Sequence, residues 1–370
     1  MKGEVLIADR IPHARMDGVA RYMTQLALQF ADCSGDPDVR ILCRGRALSP
    51  AAWLAHHRPP QPGHRLLDRL DVRLLRPAAQ RLSRCGLIHY PYHNLPANWQ
   101  AGRQKLVVTV HGAAAVEEPA WGVPEGRAET IRRRLAAAGE RLAHVITVSA
   151  WSAQEIARRF DLNPAQITPI HHGLDHELFH PRPGNTPAPL DGPYILHVGP
   201  CAPRKNVETL VDAFALLRQR RRLPHRLILA GRDDANRRRM LERCARLGVA
   251  DAVIAPGVVN DSRLADLYRG AACFVFPSLY EGFGMPVLEA MACGAPVITS
   301  AVTALPEVAG DAAHLLAVPQ DAEELAEALC RMLEDGAWRQ QFIQRGLARA
   351  RQFTWQASAQ KHLELYRGLL

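Results

Sequence analysis

The stretch VFPSLYEGFGMPVLEAMACGAPVITS, residues 275–300, decides how the chain is read. A β-branched and aromatic run, CFVFPS at 273–278, leads into a loop with Gly282 and Gly284. A helix follows from about Met285–Pro286, and a second strand, APVITS, spans 295–300. Two glutamates stand eight apart, Glu281 on the loop and Glu289 inside the helix. Glycines beside a helix start let backbone approach an anion closely, and the unpaired N–H groups there bind it. A carboxylate one turn further in suits the vicinal hydroxyls of a ribose. Glu281, at the loop, would face whatever hangs from the far phosphate.

Upstream, HVGPCAPRKNVETLVDAFALL (197–217) reads as a strand ending at Gly199 and a helix beginning near Asn206, with Arg204 and Lys205 at the helix start. Taken alone, the pair reads as well as two solvated cations before an amphipathic helix. Beside Glu281 and Glu289 it reads as a clamp on a diphosphate, where paired cations stabilise the charge of a departing phosphate.

Around these segments strands and helices alternate: strands at 194–199, 226–231, 252–257, 273–278 and 295–300, helices at 205–219, 234–247, 261–269 and 286–293. The earlier half repeats the pattern, with strands at 5–9, 87–90, 105–111 and 144–149 and helices at 18–30, 127–142 and 151–160. Such alternation predicts parallel sheets with crossover helices, whose ligands bind beyond the carboxyl ends of the strands. Helices are also predicted at 321–334, 336–351 and 354–368, the last anchored by Trp355, Leu363, Tyr366 and Leu369. The segment PRPGNTPAPLDGP (181–193), with five prolines and two glycines, is the predicted linker. The expectation is two doubly wound α/β domains, 1–185 and 186–353, enclosing a cleft.

The 370 residues carry a net charge of +9, of which +7 falls in residues 1–185. No run of about 20 apolar residues spans a bilayer, and Lys2 and Glu4 flank too short an apolar run for a signal peptide; a cytoplasmic protein is expected. The eight cysteines include no C-x-x-C pair, which speaks for reduced thiols over a metal or redox site. The DPD at 36–38 and Asp233–Asp234 read as solvated loop residues, so no metal is expected. His171 and His172 read as turn histidines satisfied by backbone, whereas His111 ends a buried strand, where an α/β fold places its site. Segment 64–84 spaces Arg65, Arg69, Arg73 and Arg76 opposite Leu66, Leu67, Leu70 and Leu74. It fits a helix on an anionic membrane surface and equally a helix packed on its own domain.

Together, the E-x7-E pattern of Glu281 and Glu289 and the basic pair Arg204–Lys205 resemble glycosyltransferase family 4, the retaining, nucleotide-sugar-dependent enzymes. The resemblance extends to Gly18 in MDGVARY, His111 in TVHG, VITVSAWS (145–152), HHGLDHELFHP (171–181) and LPEVAGDAA (305–313). Asp17 stands where relatives often carry glycine, and Ala301 where they often carry Asn or Asp. The resemblance implies a GT-B architecture, with the acceptor on the N-terminal domain, the donor on the C-terminal one and the last helix, about 354–370, crossing back.

By that likeness Arg204 and Lys205 hold the diphosphate after the Gly199 turn, and Glu289 holds the ribose. The backbone of Phe283, Gly284 and Met285 takes the donor sugar and phosphate. Glu281 contacts sugar hydroxyls, His111 reaches the donor sugar, Gly18 opens the N-terminal phosphate loop, and Gly257–Val258 borders the base. It further implies transfer of a hexose with retention, by front-face displacement and without metal. Run 277–300 followed by ALPEVAGDAA resembles enzymes of bacterial surface polysaccharide and lipopolysaccharide synthesis, many of them mannosyltransferases using GDP-sugars. A GDP-linked donor is therefore expected ahead of a UDP-hexose. The acceptor is expected to be a glycan or lipid-linked oligosaccharide at the inner face of the cytoplasmic membrane.

Other classes fit less well. A pI near 9.4 suggests nucleic acid, but no recognition module is present and basic residues are diluted by acidic ones. A serine hydrolase lacks G-x-S-x-G, and a dehydrogenase lacks G-x-G-x-x-G after the first strand. A sugar-nucleotide epimerase fits the order of segments less well. A non-catalytic nucleotide-sugar binder would be expected to lose the cations or glutamates that this chain keeps.

Overall fold

A computed structural model describes residues 3–8, 18–32, 37–43, 46–56, 85–92, 95, 104–112, 126–181, 190–221 and 223–370. The basic segment 64–84, the loop containing Asp17, Asp36 and most of the proline-rich stretch lie outside the described residues.

In the first unit the elements run β1 (Glu4–Ala8), α1 (Gly18–Ala31), β2 (Asp38–Cys43), β3 (Arg46–Leu48), α2 (Pro50–His56), β4 (Leu87–Tyr90), β5 (Lys105–Val110), α3 (Arg127–Ala138), β6 (Leu142–Thr147), α4 (Ala150–Phe160) and β7 (Ile167–Pro169). The seven strands lie in the order β3-β2-β1-β4-β5-β6-β7, parallel except for the β2–β3 hairpin. Val5, Leu6, Ile7 and Ala8 are all buried, because helices cover both faces of the sheet. Val5 and Ile7 pack with α1 and the C-terminal helix Trp355–Leu369, and Leu6 and Ala8 with α3 and α4. Ser149 caps α4 by accepting from the Ser152 N–H, and Thr354 caps the C-terminal helix through Ala357 N–H.

The second unit contains β8 (Tyr194–Val198), α5 (Val207–Arg220), β9 (Arg226–Ala230), α6 (Ala235–Arg246), β10 (Val253–Gly257), α7 (Asp261–Gly270), β11 (Cys273–Phe276), α8 (Met285–Ala292), β12 (Val297–Ser300), α9 (Leu305–Ala309), β13 (His314–Leu316), α10 (Ala322–Glu334) and α11 (Gly336–Ala350). Its strands are all parallel, in the order β10-β9-β8-β11-β12-β13. This is the doubly wound order 3-2-1-4-5-6, with its switch point between β8 and β11.

The units divide differently from the expected 185/186 boundary. Among the described residues, those up to Gly173 with Thr354–Leu370 form one, and Leu174–Phe353 form the other. Segment 174–181 belongs to the second unit because it is bonded into it. Leu174 N–H donates to Phe353 O, Arg269 donates to the carbonyls of Leu178 and His180, and Phe179 packs edge-on against Tyr268. Proline content marks where chain cannot extend a helix or ladder, but packing decides where one unit ends.

Two local readings are also corrected. The helix predicted from 205 starts at Val207, after a 3-10 turn Pro203–Lys205 and a left-handed Asn206 at φ 54°. Asp38 is no loop residue: it opens β2, its carboxylate 3.0 Å from the Arg40 guanidinium.

Candidate functional site

The loops that follow β8 and β11 meet at the switch point, and every charged residue expected of a diphosphate site in the second unit lies on them. Lys205 Nζ donates to Glu281 Oε1 at 2.5 Å, Arg204 Nη1 to the same oxygen at 3.1 Å, and Ser278 Oγ at 2.6 Å. A backbone tie locks the loops together: Leu279 N–H donates to Arg204 O at 2.8 Å. Asn206 completes the junction, its Nδ2 donating to the carbonyls of Pro277 and Pro319 while its Oδ1 accepts from Thr209. A left-handed residue is needed where the turn enters α5, and asparagine supplies both that conformation and the side-chain bonds.

Burial penalises the Glu281 carboxylate, but the charges of Lys205 and Arg204 and the bonds from Lys205 and Ser278 outweigh it and hold its pKa below the ordinary glutamate value. Lys205, 6% exposed, also lies over the Phe276 ring at 4.5 Å. Two cations against one carboxylate leave the cluster with a surplus positive charge, suited to a polyanion. Thr303, at φ 58°, accepts from Glu281 N–H through its Oγ1; a β-branched residue in this region is strained, and the strain falls at the site.

Behind the clamp, His197 is fully buried. Its Nδ1–H donates to Val275 O, and burial, reinforced by the Lys205 charge, pushes its pKa down to about 4. The Gly199 turn has φ 143°. A Cβ on Gly231 would fall 2.0 Å from Gly199 O, so the loops after β8 and β9 touch only because residue 231 has no side chain.

Gly284 caps α8 at φ 123°, where a Cβ would also meet Leu305 at 2.9 Å. Met285 is the first helical residue and Pro286 has no N–H, so Gly284 and Met285 supply the backbone donors of the helix N-terminus. Phe283 points into the core and packs edge-on against Phe353, which leaves only its backbone for a ligand. Glu289 is 4% exposed and accepts from the fully buried Tyr268 hydroxyl at 2.9 Å, through Oε2. Gly257 is left-handed at φ 85°, and its neighbour Val258 is 78% exposed.

The first unit holds His111, immediately after β5, and Gly18, the exposed first residue of α1. His111 Nε2–H donates to Pro91 O at 2.7 Å. The Tyr22 ring meets His111 edge-on at 4.7 Å, and His172 stacks on it at 5.4 Å. His172, expected at a turn, is buried among His111, Tyr22 and Trp355. Tyr22 anchors a chain of buried hydrogen bonds. Tyr366 donates to His89 Nδ1, His89 Nε2–H to Thr109, Thr109 to Tyr22, Tyr22 to His362 Nε2, and His362 Nδ1–H to Ser358 O. One choice of tautomers satisfies every member. Burial keeps His89, His172 and His362 neutral, His362 with its pKa near 4.

Sequence reasoning missed Ser278, Thr303, Asn206, Tyr268, Tyr22 and His172. Asn206 carried a signal, an asparagine between a basic turn and a helix. Tyr268 carried none, because its pairing with Glu289 depends on how α7 and α8 pack.

With this geometry in view, residues 16–178 match the family described as Glycosyltransferase Family 4 and residues 183–349 the family described as Glycosyl transferases group 1. The chain is similar to O-antigen chain mannosyltransferase B of Escherichia coli, 33% identical over 304 residues, 80% of this chain and 78% of that protein. Among solved structures it is similar to a sucrose-phosphate synthase from Thermosynechococcus elongatus, with 27% identity and a TM-score of 0.71 over 100% of this chain and 99% of that one. It shares its fold with Anabaena HepE in complex with UDP-glucose, at 20% identity and a TM-score of 0.74, covering 99% of each chain. The two Rossmann-like units are those of the GT-B fold.

Proposed function

Because the chain belongs to glycosyltransferase family 4, we propose that it is a retaining hexosyltransferase, taking mannose or a related sugar from a GDP-sugar. The proposed acceptor is a glycan or lipid-linked oligosaccharide of a bacterial surface polysaccharide, met on the cytoplasmic side of the membrane. The observation that carries this reading is the convergence of Arg204, Lys205 and Glu281 at the switch point of the second sheet.

In this account Arg204 and Lys205 neutralise the diphosphate, a role that a divalent cation would otherwise fill, and the amides at the start of α8 bind its oxygens. Glu289, oriented by Tyr268, accepts from the ribose hydroxyls. Glu281 is held ionised for the hydroxyls of the sugar. His111, whose Nε2–H donates to Pro91 O, is assigned to a hydroxyl of the donor sugar. The acceptor oxygen attacks the anomeric carbon on the face from which the bond to the β-phosphate oxygen breaks. Its proton passes to that leaving oxygen, GDP departs, and configuration is retained. Electrostatic stabilisation of the leaving group supplies the main acceleration.

The test is proton NMR of the protein with GDP-mannose or UDP-glucose in EDTA, with lipid-linked oligosaccharide as acceptor. Release of GDP and appearance of an α-linked product are expected. A β-linked product, an absolute need for a divalent ion, or turnover of UDP-glucose alone would overturn the corresponding part of the reading.

A further inference from the structure

One charged side chain near the ends of β9 and β10 has no role in the account above. Arg237 lies in the first turn of α6, and Asp234, the cap of that helix, accepts from its backbone N–H. Its guanidinium turns inward, with the side chain 14% exposed. Nη2 donates to Ala255 O at 2.9 Å, while Nε and Nη1 are buried and have no hydrogen-bond partner among the described residues. The nearest carboxylate, Asp233, is largely exposed and stands 3.9 Å from Nε. Buried guanidinium donors without protein acceptors are costly and call for a water or a ligand to complete them.

The surroundings indicate which part of a nucleotide that would be. Gly257, left-handed at φ 85°, lies beside Nη1, where even its missing Cβ would stand only 3.5 Å from that nitrogen. The charges of Asp234 and Arg237 both act on the Cys201 thiol, two residues beyond Gly199 on the diphosphate loop. On the other side the Gly257–Val258 turn leads into α7, which carries Tyr268 and through it Glu289. Arg237 thus lies between the loop assigned to the diphosphate and the turn that precedes the ribose-side helix, at the neighbouring strand ends.

We infer that Arg237 reads the base of the donor nucleotide and favours guanine, an inference that rests on the assignment of the second unit as the donor site. Guanine presents two adjacent acceptors, O6 and N7, the set that arginine donors recognise. Adenine places an amino donor beside N7, and uracil flanks each carbonyl with an N–H or C–H, so neither offers that pair.

Isothermal titration calorimetry of the full chain with GDP, UDP and inorganic pyrophosphate tests this, using the wild type, Arg237→Ala and Arg237→Lys. The expected result is that the wild type prefers GDP. Both variants should lose about tenfold to a hundredfold in GDP affinity while binding UDP and pyrophosphate within about twofold of wild type. Should the alanine variant fail to fold, the lysine variant, which keeps charge and stem but loses the planar fork, decides alone. Equal weakening of all three ligands would make Arg237 a phosphate or structural residue, and unchanged GDP affinity would remove it from the site. Either result in a wild type that prefers GDP overturns this inference alone. A wild type that prefers UDP or binds neither nucleotide overturns the donor reading with it.

Discussion

Lys205 Nζ lies 2.5 Å from Glu281 Oε1, across 76 residues of sequence, and Arg204 and Ser278 donate to the same oxygen. The pair fastens the two loops of the switch point together and concentrates positive charge there. A structural and a catalytic role can be separated. Lys205→Met should destabilise the second unit by about 2 kcal/mol, because the buried Glu281 carboxylate loses its nearest cation and keeps only Arg204 and Ser278. Lys205→Met with Glu281→Leu should recover most of that in urea unfolding, yet turnover should stay at least a hundredfold down in both. Recovery of activity along with stability would show the cluster to be scaffolding.

Glu289 and Tyr268 should act on the nucleoside and leave the phosphates alone. Glu289→Ala is expected to weaken GDP binding at least tenfold and Tyr268→Phe about fivefold, since each removes a bond to a charged group worth about 1–3 kcal/mol. Calorimetry with pyrophosphate should show no change in either variant. A parallel loss of pyrophosphate affinity would place Glu289 elsewhere than at the ribose.

Asn206 makes a stability prediction independent of ligand. Asn206→Ala puts a Cβ residue with no compensating bonds at φ 54° and strands the buried carbonyls of Pro277 and Pro319. It should cost about 3 kcal/mol, and Asn206→Gly, which tolerates the backbone, about half as much. Equal losses in thermal unfolding would assign the whole effect to the side-chain bonds.

Acid should destabilise the first unit. Burial holds His362 near pKa 4 and lowers His89 and His172 well below the ordinary imidazole value of 6.5. As pH falls from about 6.5 toward 4, the unfolded chain takes up protons that the native chain refuses. Stability is therefore complete above about 6.5 and is lost progressively below it. The His362 contribution alone is on the order of 3 kcal/mol. Urea midpoints at pH 7.5, 6 and 5 should decline steadily, and a flat profile would contradict the neutral histidine network. In the second unit His197 acts with the same sign, and Glu281, its pKa depressed, adds a loss at more acid pH.

Much of this was legible because it is written in local pattern. Strand runs such as YILHV and CFVF are buried on both faces and read as continuous apolar segments, and Gly284 and Pro286 mark the start of α8. The spacing of Glu281 and Glu289 put one carboxylate on the loop and one on the helix, where the structure has them. What the pattern lacked was distance. Whether Glu281 would meet Arg204 and Lys205 depended on β8 and β11 being neighbours, and the environment of His172 depended on α1 and the C-terminal helix packing around it. The unit boundary at 173/174 was missed for the same reason, since Arg269 reaches residues 178 and 180 from about 90 positions away.

The most direct test of the central claim is thermal unfolding of the wild type and the Arg204→Ala, Lys205→Ala double variant with GDP, UDP, ADP and dTDP in EDTA. Ligand at about 100 times its Kd adds roughly 2.7 kcal/mol to the native state, enough to raise the midpoint by several degrees. The account predicts a metal-independent rise with GDP above the others, abolished in the double variant. No shift with any nucleoside diphosphate, or one that survives loss of both cations, would contradict it.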